Sequence, residues 1–412
     1  MCENRTLSAS MIKEGLSAPE DQEYQYPVNY AYNYLQGRVE YLVNPKLKLN
    51  DSLGPETLLH VGQAREVNDN YSDKHSIDLF PIRAGLPWPS GILICRQNKY
   101  WQLTIDTTRS FLFLLAKDEV CQEIFKSGHS VAEIARKELR AQVEEGWAKF
   151  PAYLFPDGDR QRTRLLAIVT AFIIVFDDFW EMHDIQSFSR VQTHFMDRMR
   201  GDSTRHDTKP SLLKSMIDET LAEIRELDRI SGNTAGQEMI DFMVASFTRT
   251  TPPEGYNDLE EFLLYRHKDA AVPYGLACAK FALNSSVDLN DSKLSRYLRL
   301  VKDHVSIVND LGSWDKEKRA YDEGRVLYLV NTVDVVGKLF CLSSDHAAVR
   351  LTHALQLQIE IEIDDEIQRL RAENVLTDEE WRFVEATLCV MTGNIFVSTV
   401  MARYGGEASR VK

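Results

Sequence analysis

The chain has 412 residues, of which 44% are hydrophobic and 27% charged, a composition typical of globular proteins rather than of disordered or membrane-spanning ones. The formal net charge of −14 argues against binding of nucleic acid or of an acidic membrane surface along the whole molecule. Six cysteines are scattered without a CxxC pair, which favours free thiols over disulfides or a zinc site.

Residues 1–95 differ in composition from the rest of the chain. They hold seven of the 13 prolines, with many Tyr and Asn residues and little helical periodicity, so we expect an irregular N-terminal extension packed on a main domain at 96–412. The first residues lack the apolar core of a signal peptide, and the longest uncharged apolar run falls short of the roughly 20 residues that cross a bilayer. The sequence therefore predicts a cytoplasmic protein without membrane insertion.

From about residue 100 onward, apolar residues recur at i, i+3 and i+4, which predicts an all-α fold of ten or so helices. The first of these helices has Asp106 and Thr107 as candidate N-caps and ends at Gly128. The predicted helices cover 108–128, 130–150, 161–182, 187–200, 211–230, 236–250, 258–283, 293–322, 325–341, 346–372 and 377–404.

The predicted helix 161–182 contains an uncharged apolar run, LLAIVTAFIIVF, followed at once by Asp177, Asp178 and Glu181. Carboxylates in an apolar setting need a cation or protons, and Mg²⁺ is commonly held by one or two carboxylates with water and phosphate oxygens. Asp177 and Glu181 share a helical face. The alternative is a helix end with its acids exposed to water, which the helix dipole disfavours.

A second stretch, VNDLGSWDKE, places Asn309, Ser313 and Glu317 at i, i+4 and i+8. This spacing puts three oxygen ligands on one helical face. Lys316 lies next to them and could reach a phosphate oxygen, and Gly312 permits another group to approach closely. The alternative is an amphipathic surface helix, but valines beside the stripe of ligands favour a face that points inward.

The motifs DDxxE and NDxxSxxKE together resemble those of the class I terpene synthases, especially the single-domain microbial and fungal kind. The resemblance covers about residues 100–405 and implies an α-helical barrel around an apolar cavity. It also implies three Mg²⁺ ions, with Mn²⁺ as a substitute. Glu181 stands where the family usually has Asp, so its part in metal binding stays open. The implied ligands are Asp177, Asp178, Glu181, Asn309, Ser313 and Glu317.

Three further residues match the family's diphosphate-sensing segment. Arg266, 43 residues before Asn309, corresponds to its sensor arginine, Asp269 to its acidic linker and Ala270 to its small effector residue. A surface salt bridge of Arg266 with Glu260 or Asp269 is the alternative. Independently of the resemblance, Pro273 removes an amide donor and clashes with the carbonyl of residue 269, so we expect a kinked helix at 269–270.

The remaining predicted site residues follow from the same resemblance and from helical spacing. Arg403 and Tyr404 match a C-terminal Arg-Tyr pair that grips diphosphate, and Lys316 would complete that clamp. Thr170 and Ile173 lie seven and four residues before Asp177 and should face the cavity. Ordinary core packing is an equally open reading of the aromatic candidates for the cavity wall, which are Phe111, Phe172, Phe176, Trp314 and Phe396.

The resemblance implies a lyase that ionises an isoprenyl diphosphate and cyclises the carbocation. Farnesyl diphosphate giving a sesquiterpene is the first expectation and geranylgeranyl diphosphate giving a diterpene the second, because the cavity volume cannot be read from the chain. A non-catalytic diphosphate-binding protein and a prenyltransferase are further alternatives, although the sequence contains no second DDxxD motif. No nucleic-acid partner is expected, and a homodimer is left open.

Overall fold

The structure, a computed structural model, describes residues 75–79, 81, 88–119, 121–122, 130–140, 143, 146–182, 195–196, 198–200, 212–248 and 251–401, with the backbone alone at 178–182. In these ranges the chain is mainly helical, so the all-α prediction is confirmed. Two short strands precede the helices, β1 (Ser76–Leu79) and β2 (Cys95–Asn98). The helices are α1 (Trp101–Lys117), α2 (Val131–Arg140), α3 (Lys149–Leu154), α4 (Arg160–Met182), α5 (Leu212–Ser231), α6 (Ala235–Ser246), α7 (Leu259–Asp269), α8 (Val272–Ala282), α9 (Ser295–Asp322), α10 (Thr332–Leu339), α11 (Asp345–Glu373) and α12 (Asp378–Val400).

Several predicted helix boundaries are wrong. Helix α1 begins before Asp106 and Thr107, which lie inside it and do not cap it. Its start is set instead by the turn at Asn98, whose Oδ1 accepts a hydrogen bond from the Tyr100 amide at 2.7 Å. The predicted helix 130–150 is divided into α2 and α3, and the predicted helix 325–341 starts only after Asn331. Most of the predicted helix 187–200 lies outside the described residues.

Helix ends with strong capping sequences agree better with prediction. Helix α12 starts with a capping box, in which the Thr377 side chain and the Glu380 side chain each accept from the other residue's backbone. Its apolar segment is long enough to cross a bilayer, but 83% of that segment is buried inside the protein. Helix α12 is therefore a core helix of the fold.

The five described cysteines are free, as expected, with all but Cys341 buried: Cys95, Cys121, Cys278, Cys341 and Cys389.

Strands β1 and β2 form an antiparallel pair that the sequence did not predict, with a register from Ser76 opposite Asn98 to Leu79 opposite Cys95. The Arg96 guanidinium on β2 is buried and lies 2.9 Å from Asp78 and 2.6 Å from Glu385 on α12. A buried charge of this kind requires partners. The two strands are thereby fixed to the helical body. The proposed boundary at residue 95 falls at the start of β2, and residues 1–74 of the predicted extension lie outside the described residues.

Asp157 adjoins this Arg96 group and accepts a hydrogen bond from Ser76 Oγ at 3.4 Å. Burial raises the pKa of Asp157 to about 6, although Arg96 opposes the shift. The unfolded value is about 3.9, so between about pH 4 and pH 6 the folded chain keeps a proton that the unfolded chain loses, and stability falls as the pH rises.

We therefore expect Asp157→Asn to stabilise the protein by about 1–2 kcal/mol at pH 7.5 and by much less at pH 4, because the amide does not titrate. This magnitude is smaller than two full pKa steps because Asp157 as a residue is only half-buried. Urea unfolding of both proteins at the two pH values measures the difference. An equal gain at both pH values would contradict the assignment.

Helices α12 and α3 approach each other closely at Gly393. A Cβ atom at this position would lie 2.1 Å from the Tyr153 carbonyl oxygen and 2.5 Å from its carbonyl carbon. One turn further along α12, the Phe396 ring stacks at 4.4 Å from the Tyr153 ring. Only glycine fits at Gly393 without movement of the α3 backbone.

We expect Gly393→Ala to destabilise the protein by about 3 kcal/mol, at the upper end of typical overpacking costs, because the obstacle is backbone. Gly275→Ala in α8 is the matched control, since a Cβ there meets nothing within 4 Å. That change should stabilise the helix by up to about 1 kcal/mol. Equal midpoints of unfolding in denaturant for the two variants would show that the α3 backbone can move away from the added methyl group at little cost.

Candidate metal centre

Helix α9 carries the three predicted oxygen ligands on one face, as their spacing requires. Asn309 and Glu317 are half-buried, and Ser313 is 1% exposed. Ser313 Oγ is buried and makes no well-aligned hydrogen bond among the described residues, although it faces the Glu317 carboxylate and lowers the pKa of that group. A buried unsatisfied hydroxyl costs about 1–3 kcal/mol. This orphaned oxygen, flanked by an amide and a carboxylate, fits a ligand that supplies the missing interaction.

The charge of the Glu317 carboxylate is partly compensated by its neighbours. Burial raises the pKa of Glu317, while the charge of Arg266 and a hydrogen bond from Asn331 oppose the shift. Asn331 Nδ2 donates to Glu317 Oε2 at 2.9 Å. Amide, hydroxyl and carboxylate oxygens suit a hard cation such as Mg²⁺. In the described part of the chain no group of three or more His, Cys, Asp or Glu residues could hold a metal; the stretch at Asp177 is the predicted source of further carboxylates.

Arg266 on α7 points into this centre. Its side chain is 9% exposed, and its Nε and Nη2 atoms donate to Asp310 Oδ1 at 2.9 and 2.7 Å. Nη1 donates to Asp269, and Nη2 also lies 3.4 Å from Asn309 Oδ1. Burial opposes the charge on Arg266, but Asp310 and Asp269 outweigh it and raise its pKa. The alternative of a salt bridge with Asp269 is thus correct in its partner, but the pair is buried rather than on the surface.

Asp310 connects this arginine to the next helix. Its side chain is completely buried, and Oδ2 accepts from the Thr332 amide at 2.7 Å and from Thr332 Oγ1 at 2.6 Å. A carboxylate at the first turn of α10 is favoured by the helix dipole. Sequence reasoning placed Asp310 in the motif but assigned it no role, because its partners are distant in the chain.

The helix that was predicted over 258–283 is interrupted at the expected place. Helix α7 ends at Asp269, Ala270 caps it, and Ala271 adopts a left-handed conformation with φ of 53°. Pro273 lies in the first turn of α8 and cannot donate to the Asp269 carbonyl. The interruption is a full break rather than a kink. It places Asp269 and Ala270 next to Arg266.

The first predicted metal stretch lies at the C-terminal end of α4. Asp177 is half-buried, and the backbone of Asp178 and Glu181 is helical, but their side chains lie outside the description. Helix α8 packs against both α4 and α9, the two helices that carry the predicted metal-binding stretches. Lys316 is half-buried on α9. Arg403 and Tyr404 lie outside the described residues.

Most of the predicted cavity residues belong to one apolar core. Phe172 is at its centre, with ring centroids 4.6 Å from Phe176 and 6.2 Å from Phe111. Phe195 and Phe247 join them edge-on at 5.6 and 6.0 Å from Phe172; both lie in predicted helices, but neither was named as a cavity residue. Thr170, Ile173 and Phe396 are buried in the same part of the molecule.

Trp314 is the exception among these residues. It packs in a separate apolar cluster with Val333 and Ala348 and lines an open surface groove of about 630 Å³. It follows Ser313 directly, so it lies about 100° around α9 from the ligand face. Trp314 is therefore not brought together with the other predicted aromatic residues.

Comparison with known proteins agrees with this arrangement. A family model described as terpene synthase family 2, C-terminal metal binding, matches residues 169–356, which include both predicted metal stretches. Terpene cyclase 6 of Gibberella fujikuroi is 25% identical over 368 residues, which span 88% of this chain and 93% of that protein. A bifunctional sesterterpene synthase of Aspergillus aculeatus is 26% identical over 151 residues, 36% of this chain but 21% of that larger protein.

Among solved structures, aristolochene synthase from Penicillium roqueforti superposes with a TM-score of 0.57 over 73% of this chain and 94% of that chain, at 15% sequence identity. This likeness concerns the fold, which is the all-α fold of class I terpene synthases. The chain is thus similar to terpene synthases in the region that the family model matches, and to a terpene cyclase over 88% of its length.

Proposed function

We propose that this enzyme is a Mg²⁺-dependent cyclase whose main substrate is farnesyl diphosphate and whose product is a sesquiterpene. The carbon–oxygen bond of the substrate breaks, diphosphate leaves with the bonding electrons, and the carbocation closes before it loses a proton. The observation that carries the proposal is the orphaned Ser313 hydroxyl between Asn309 and Glu317, with the Arg266 guanidinium directed at the same place.

Three Mg²⁺ ions, for which Mn²⁺ can substitute, are the proposed cofactor. When bound, Mg²⁺ would neutralise the leaving diphosphate and so lower the barrier to ionisation. The chain would hold the ions with Asn309, Ser313 and Glu317 on α9 and with Asp177, Asp178 and Glu181 on α4. On α9, the half-buried Glu317 carboxylate, whose pKa burial raises, and the buried Ser313 hydroxyl support this set.

Arg266 would sense the diphosphate. Of its contacts, the one to Asn309 Oδ1 at 3.4 Å is the longest, so it is the contact that a phosphate oxygen would replace most easily. Asp310 keeps the guanidinium in place throughout. Lys316, Arg403 and Tyr404 would complete the clamp. Asp269 and Ala270, at the break between α7 and α8, would transmit the movement of Arg266 to α8.

The apolar core beside α4 would enclose the isoprenyl chain and exclude water, which would otherwise capture the carbocation. Aromatic faces stabilise positive charge by about 1–2 kcal/mol each. Phe172 and Phe176 are the first candidates because both are buried just before Asp177, with Phe111 and Phe396 behind them. Thr170 and Ile173 would shape the contour of the cavity.

The most specific part of the proposal is the length of the isoprenyl chain of the substrate. Farnesyl diphosphate is favoured and geranylgeranyl diphosphate is second. We include a longer diphosphate in the test because one relative is named a sesterterpene synthase. We further propose that residues 96–412 form the catalytic domain, that residues 1–95 extend it, and that the protein acts in the cytoplasm, with a homodimer to be tested.

The test incubates the full chain with Mg²⁺ and, separately, with geranyl, farnesyl, geranylgeranyl and geranylfarnesyl diphosphates, and identifies the products by mass spectrometry. Cyclic hydrocarbons or alcohols from farnesyl diphosphate are expected. Elongated diphosphates would instead indicate a prenyltransferase. Binding of inorganic diphosphate without any product would indicate a non-catalytic binding protein, and omission of Mg²⁺ is the control.

A further inference from the structure

Asn331, directly before α10, is a completely buried side chain whose three polar contacts join separate parts of the metal centre. Its Oδ1 accepts from the Val333 amide at 2.9 Å and so caps α10. Its Nδ2 donates to the Asp310 carbonyl and to Glu317 Oε2, each at 2.9 Å. One amide thus links the start of α10 to two points on α9.

Capping alone does not require asparagine. Serine, threonine and aspartate cap helices about as well, but they cannot accept one hydrogen bond and donate two others from the same neutral group. The two donors are the distinguishing feature of Asn331, and both are directed at α9. A neutral donor also orients a carboxylate without bringing a positive charge that would compete with a bound cation.

We propose that Asn331 is a positioning residue for the metal-binding carboxylate of Glu317, occupying Oε2 so that Oε1 is presented to the cation. The inference rests on the proposed function, because Glu317 is a ligand only under that proposal. Asn331 also fixes the backbone of Asp310, whose side chain holds Arg266. The metal ligand and the diphosphate sensor would therefore share one anchor outside both predicted motifs.

The test measures metal binding separately from turnover. Mg²⁺ is titrated at a fixed concentration of inorganic diphosphate, and the midpoint of thermal unfolding reports occupancy. Asn331→Ser and Asn331→Thr keep a capping oxygen and remove the donors to Glu317. We expect the half-saturating Mg²⁺ concentration to rise about tenfold or more in both variants, the usual cost of losing a group that orients a metal ligand.

Ser344→Ala is the matched control, because Ser344 caps α11 by accepting from the Ala347 amide and touches none of the predicted ligands. It should lower the unfolding midpoint without changing the half-saturating Mg²⁺ concentration. High Mg²⁺ should also restore product formation in the Asn331 variants to within about twofold of wild type, since weakened binding is overcome by mass action. A purely structural role would predict no such rescue.

An unchanged half-saturating Mg²⁺ concentration in folded Asn331→Ser and Asn331→Thr, as judged by circular dichroism, would overturn the inference. Failure of the wild-type protein to respond to Mg²⁺ with diphosphate would overturn the proposed function and the inference with it. The wild-type titration therefore distinguishes the two failures.

Discussion

Replacement of Asn309 by alanine is expected to abolish Mg²⁺-dependent release of diphosphate from farnesyl or geranylgeranyl diphosphate. Asn309 Oδ1 is the first of the three oxygens on the ligand face of α9, and it is also within 3.4 Å of Arg266 Nη2. The substitution would therefore affect both the proposed metal site and the proposed diphosphate sensor. We expect a loss of at least about 1,000-fold, which corresponds to about 4 kcal/mol of transition-state stabilisation. Asp177→Asn should have the same effect from the side of α4.

Release of inorganic diphosphate, measured at several Mg²⁺ concentrations, checks both variants. Asn290→Ala is the matched control, because Asn290 is exposed and lies before the start of α9, outside both predicted metal stretches. Its activity should equal that of the wild type. Unchanged turnover in Asn309→Ala or in Asp177→Asn would refute the assignment of the metal ligands.

The parts of the site that follow from local spacing could be predicted from the sequence. Asn309, Ser313 and Glu317 share a face because they lie on one long helix, and helical geometry fixes that face whatever surrounds it. The break after Asp269 follows in the same way from the chemistry of Pro273. Gly312 also meets its expected close neighbour, since an added Cβ would lie 2.7 Å from Ser398 Cβ.

The parts that depend on contacts distant in sequence could not be predicted. Asp310 and Asn331 are 21 residues apart, and the local sequence around neither residue predicts their contact. Asn331 can be recognised only as a helix-capping residue before the TVDVV run. Trp314 was assigned to the cavity by residue type, whereas its angle on α9 directs it to a different cluster. The strand pair β1–β2 was missed because each strand is only four residues long.

Asp310→Asn is the second substitution with a large expected effect. The Asp310 carboxylate is completely buried, accepts two guanidinium hydrogen bonds from Arg266, and accepts two more from Thr332. An amide keeps the shape but removes the charge that compensates Arg266. Because a buried charge that loses its partner is strongly unfavourable, we expect a loss of about 3–5 kcal/mol in the free energy of unfolding.

Urea unfolding measures this loss, and Asp322→Asn is the matched control. Asp322 lies near the other end of the same helix, with its side chain 55% exposed and 2.6 Å from Lys318, and an exposed pair of this kind contributes at most about 1 kcal/mol. A loss below about 1 kcal/mol for Asp310→Asn would mean that Asp269 alone compensates the arginine.

A double variant separates the ion pair from the cap of α10. Adding Arg266→Met to Asp310→Asn removes the uncompensated guanidinium, so part of the lost stability should return, whereas an effect confined to Thr332 would leave the double variant no more stable than the single one. The double variant should nevertheless release no diphosphate, because Arg266, the proposed diphosphate sensor, has been removed. Regained stability without activity is the result expected if Asp310 stabilises the buried Arg266 charge, and if that charge is needed for the reaction but not for folding.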